Sequence, residues 1–105
     1  MNKEEFEKVY ENLYQIYENS GDISFDAIRG KNAKIRKNAE RQLQGYINSA
    51  ISKIYEHEEI LQLLTPDSSE IGRIFFFDEF KETRCFRNDL GRLLSDIQDE
   101  IKKLK

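Results

Sequence analysis

The chain holds one cysteine, one proline, one histidine, one valine and no tryptophan in its 105 residues. Each scarcity closes a route. Cys85, alone, makes no intrachain disulfide and no cysteine-based zinc site. With His57 the sole histidine, a structural zinc site runs out of ligands. A sequence whose only valine is Val9 argues against an all-β fold. No apolar stretch approaches the roughly 18 to 20 residues that a membrane-crossing helix needs. The opening "MNKEEFEKVYENLY" is too acidic for a secretion signal. These points together lead us to expect a reduced, cytoplasmic setting and no membrane partner.

What is present is mostly helix-forming. Charged residues make up 35% and hydrophobic ones 38% of the chain, a balance suited to one folded domain spanning 1–105. Phe6, Val9, Tyr10, Leu13, Ile16 and Tyr17 repeat at helical spacing and predict a helix over about Lys3 to Glu18, stopped by "NSGD". In "SFDAIRG", Ser24 and Gly30 read as the cap and terminator of one short turn. The longest periodic segment, about 31–64, carries Ile35, Ala39, Leu43, Tyr46, Ile47, Ala50, Ile51, Ile54, Leu61 and Leu64 on one arc. Thr65-Pro66-Asp67 ends it. Ser68 or Ser69 then caps a short helix from Glu70 to about Phe80, and a final helix covers about Thr83 to Leu104. The expected fold is all-α: a small bundle of three to four helices around one long central helix.

The catalytic inventory is thin. No Gly-x-Ser-x-Gly elbow accompanies His57, which reads as a histidine at the edge of the core. Asp96, Asp99 and Glu100, like Asp78, Glu79 and Glu82, have the spacing of solvated helix faces rather than of a calcium loop. Pro66-Asp67 followed by Glu79-Phe80-Lys81 has the outline of a metal-dependent nuclease motif. That chemistry is normally mounted on paired strands, and the sequence offers no convincing pair. The expectation is therefore no enzyme, no catalytic residue, no metal site and no cofactor.

Two segments stand out as binding candidates. The net charge of −3 hides a basic run: residues 29–41 carry six bases against Glu40. Arg29, Lys31, Lys34, Lys37 and Arg41 form a candidate anion site, with Lys34, Lys37 and Arg41 on one helix face. The second is "RIFFFDEF", residues 73–80. A helical turn that is apolar all round must be covered on all sides, and three or four helices cover only some of them. Ile74, Phe75, Phe76, Phe77 and Phe80 then serve either as a plug in the open end of the bundle or as an interface. The reading adopted is a non-enzymatic protein-binding module working through this helical, partly aromatic surface, with a homodimer as the expected assembly. In size and layout such a chain resembles small adaptors, inhibitors, immunity proteins and antitoxins. The alternative is a nucleic-acid- or nucleotide-binding helical protein that uses the basic segment.

Overall fold

The computed structural model describes residues 1–64 and 70–104, with the backbone alone for residues 70–73 and 75. Among the described residues every regular element is a helix: α1 (Lys3–Asn19), α2 (Gly21–Arg29), α3 (Ala33–Tyr55), α4 (Glu58–Leu64), α5 (Glu70–Phe80) and α6 (Phe86–Lys103). The all-α expectation holds, but among the described residues the helices number six rather than three or four. The expected terminator at 65–67 and the cap at Ser68 or Ser69 lie outside the described residues.

The largest correction concerns the long helix, which is two helices with a break at Glu56 and His57. Charge explains where the break falls. An unbroken helix would carry Glu56, Glu58 and Glu59 through its interior. Restarting at Glu58 puts Glu58 and Glu59 in the first turn of α4, at the positive end of a helix dipole. Lys53 occupies the last turn of α3, the end that favours a base. His57 bridges the two helices through its backbone. Its N–H donates to the Ile54 carbonyl at 3.2 Å, and its carbonyl accepts from Ile60 and Leu61 at 3.1 and 3.2 Å. The bend turns Ile60 and Leu61 into the core, where they are 0% and 5% exposed.

A second correction lies between α1 and α2. The backbone never leaves the right-handed helical region at Ser20, so α2 starts at Gly21 and Ser24 sits inside it, buried, instead of capping it. The fully buried Ser20 hydroxyl donates to the Tyr17 carbonyl at 3.2 Å. Gly30 does end α2, though by close approach rather than a left-handed backbone. A Cβ there would lie 2.5 Å from the Asp26 carbonyl oxygen and 2.9 Å from Ile35. Arg36 Nη1 donates to the Gly30 carbonyl at 2.9 Å and fixes the corner.

Packing follows the apolar stripes. Phe6, Val9 and Leu13 of α1 are buried, as are Leu43, Ile47 and Ile54 of α3 and Phe86, Leu90, Leu93, Leu94 and Ile97 of α6. α1 packs on α3 and α6, α2 lies along α3, and α4 and α5 pack against α6. The start of α6 meets the end of α1, where Gly91 lets Tyr17 approach to 3.5 Å from where a Cβ would stand. The molecule extends over 49 × 28 × 18 Å, so its ends are far enough apart to carry different chemistry.

Candidate functional site

α5 places the phenylalanine run at one end of the body. Phe80 is fully buried and Phe77 is 5% exposed. Phe80 meets Phe86 edge-to-face at 5.0 Å, Phe77 stacks on Tyr55 at 4.9 Å, and Phe76 touches both Phe77 and Phe80. Phe77 and Phe80 are thus covered by their own chain and are not available to a partner. The end of α3, through Tyr55, and the start of α6, through Phe86, supply the walls. Phe76 is half-buried, and the Phe75 side chain lies outside the described residues. Ile74 is 55% exposed and Tyr55 is 58% exposed. Of the run, Ile74 alone offers the described surface a large exposed apolar side chain.

Beside this aromatic cluster lies a cleft of about 260 Å³. Leu63 and Leu64 of α4 and Phe76 and Glu79 of α5 form one side, and Asp89, Arg92, Leu93 and Asp96 of α6 the other. Asp89 is only 5% exposed, and its Oδ2 has no hydrogen-bond partner among the described residues. Burial pushes the Asp89 carboxyl above the usual carboxylate range, Glu79 adds to the rise, and Arg92 opposes it. The neighbouring Cys85 thiol is pushed up as well, by desolvation first and then by Glu82, Glu79 and Asp89. The local field is therefore negative, and Cys85 is disfavoured as a thiolate nucleophile. Sequence reasoning passed over Asp89, yet a signal was there. Three residues after Phe86 and four before Leu93, it is an acid on the apolar stripe of α6.

The basic residues lie at the far end of α3. Arg29 closes α2, Lys31 sits in the corner, and Lys34, Lys37 and Arg41 project from the first turns of α3, all five exposed. None forms an ion pair among the described residues. Asn32 caps α3, accepting the Ile35 N–H at 2.9 Å, so one of the free amides of this helix start is already engaged. Arg29 also borders a groove of about 470 Å³ with Phe25, Ile28, Asp22 and Arg87. Phe25 is 61% exposed. Arg87 is committed elsewhere: Nε and Nη2 donate to the Tyr17 carbonyl at 3.3 and 3.0 Å, and its guanidinium lies 4.1 Å from the Tyr17 ring centre.

The remaining candidates are dispersed. His57 is half-buried at the α3–α4 break, with Glu5, Lys8, Val9 and Asn12 of α1 across a cleft of about 390 Å³. Among the described residues no group of three or more His, Cys, Asp or Glu is placed to hold a metal ion. Glu79 and Lys81, the second half of the nuclease-like outline, lie on α5 and just beyond it, and Asp67 falls outside the described residues. Among the described helices none is long and apolar enough to cross a membrane. No protein-family model matches the chain, and no curated protein or solved structure matches it at a significant level.

Proposed function

We propose that this chain is a non-enzymatic protein-binding module whose contact surface is the ridge formed by Ile74 and Tyr55, with a second copy as partner. One observation supports the reading. The aromatic core continues to the surface at this point, since Tyr55 stacks on Phe77 and Ile74 precedes Phe77 by one helical turn on the same face, both more than half exposed. Large apolar side chains set on a rigid, buried base are what interfaces use as anchors, because little rotamer freedom is lost when they are covered.

Sedimentation equilibrium at micromolar protein tests it. The wild type is expected at twice the monomer mass, and Ile74→Lys at the monomer mass with unchanged helical circular dichroism. A monomeric wild type would remove the homodimer. A second reading is favoured by a different observation: five exposed bases around the start of α3 without ion pairs among the described residues, a surface suited to phosphates.

A further inference from the structure

We infer that the cleft between α4, α5 and α6 binds an organic cation with an apolar stem, an alkylammonium or alkylguanidinium group whose head pairs with Asp89. The orphaned oxygen is the starting point. A carboxylate oxygen that is buried and unpartnered is costly in a folded protein, and most buried polar atoms are satisfied. Asp89 lies in the first turn of α6, where the helix dipole favours a negative charge. That accounts for the charge but leaves Oδ2 without a donor among the described residues.

The lining specifies the missing partner. Glu79, Asp89 and Asp96 against Arg92 give the cleft a net formal charge of −2, three acids less one base. Leu63, Leu64 and Phe76 add apolar patches to an otherwise polar lining, which a bare metal ion would not use. The volume, about 260 Å³, falls below the roughly 300 to 1,000 Å³ of small-molecule sites, so it suits a fragment the size of a side chain rather than a nucleotide. The donors of an ammonium or guanidinium head match an acceptor-only carboxylate. Arg92 is the competing donor in the cleft wall. It is exposed and forms no ion pair with Asp89. The cleft is distinct from the Ile74–Tyr55 ridge, so either proposal can fail alone.

The test is an NMR titration of the full chain with butylammonium chloride near neutral pH, with sodium chloride at matched ionic strength as reference. We expect saturable shifts confined to α4, α5 and α6, including the Asp89 carboxyl carbon, with a Kd on the order of 1 mM for so small a ligand. Asp89→Asn should weaken binding by about tenfold or more, and tetramethylammonium, which has no N–H donor, should bind less well. Tighter binding of N-acetyl-lysine N-methylamide would identify the source as a lysine of a protein; tighter binding of spermidine would identify a free polyamine. Absence of a saturable shift, or equal binding by Asp89→Asn, would overturn the assignment. Should that variant not fold, the Asp89 carboxyl signal of the wild type decides: it moves with butylammonium or the proposal fails.

Discussion

Two of the clefts among the described residues have opposite chemistry, and they differ most in how their charges are settled. At the α2 end, Arg87 gives two hydrogen bonds to the Tyr17 carbonyl and lies over its ring. Arg87, the charge that sits deepest in the packing there, is thus committed within the chain, while Arg29 stays exposed at the groove's edge. At the aromatic end, Asp89 is nearly as buried as its leucine neighbours and leaves one oxygen unpaired among the described residues. A satisfied charge next to an exposed phenylalanine is ordinary surface. An unsatisfied charge in a walled cleft is a structural cost that folding alone does not explain.

The phenylalanines sharpen the contrast, since one residue type occupies both regions. Phe80 is fully buried among Phe76, Phe77 and Phe86, so Phe80→Ala removes both transfer energy and packing. We expect a loss of about 3 to 5 kcal/mol, read from urea unfolding. Phe25, 61% exposed, loses little when shortened, and Phe25→Ala should stay within about 0.5 kcal/mol of wild type. Equal effects of the two substitutions would mean that the aromatic end is not a packed core.

Much of the fold was legible because helical periodicity reports burial directly. The α1 stripe runs as expected, and the core residues of α3 and α6 are those that repeat at three and four. The break at His57 escaped because an apolar arc does not register a change of axis. Leu61 continues the count from Ile54 whether or not the helix bends between them. The sign of the bend lay in charge, in a cluster of acids that suits a helix start better than a helix interior. Of the candidate sites, the basic segment was visible as composition. The acidic cleft was not, because it draws on three helices and its key residue is a polar group in an apolar stripe. The phenylalanine run was visible as an anomaly, but which rings are covered depended on helices the sequence had merged.

Asp89 gives the sign of the second expected effect. Its carboxyl is raised in the folded state, so the native protein binds more protons than the unfolded chain between the ordinary carboxylate pKa and the raised one. Stability therefore falls as pH rises through that window, and the unfavourable contribution is fully present once pH lies above the raised carboxyl pKa. Asp89→Asn removes the charge at nearly constant shape and should stabilise the fold by about 1 kcal/mol at a pH above the raised carboxyl pKa. The gain should shrink towards zero once pH drops below the ordinary carboxylate range, where both states of the wild type are protonated. Glu59 works in the opposite direction, its carboxyl held low by its own backbone amide and the Met1 amino group. That contribution is common to both proteins and cancels in the difference. An Asp89→Asn variant less stable than wild type across the whole pH range would show that Asp89 has a stabilising partner after all.

The basic end should respond least in stability and most in salt dependence. Lys34, Lys37 and Arg41 are exposed and form no ion pairs among the described residues, so replacing all three by glutamate breaks no ion pair described within the chain. A glutamate at Lys34, in the first turn of α3, also suits the helix dipole better than a lysine does. Unfolding of the triple variant should therefore stay within about 0.5 kcal/mol of wild type. Binding is another matter. If the segment engages phosphates, oligonucleotide affinity measured against salt has a log–log slope set by the number of phosphates neutralised. Its magnitude drops by about 0.7 to 0.9 for each phosphate that is no longer neutralised. Reversing all three charges would flatten the dependence by roughly 2 to 3 and remove binding at low salt. A wild type that binds no oligonucleotide or nucleotide at low salt would reduce the segment to a solvated face. The acidic cleft would then be the described surface where an unpaired charge still calls for a ligand.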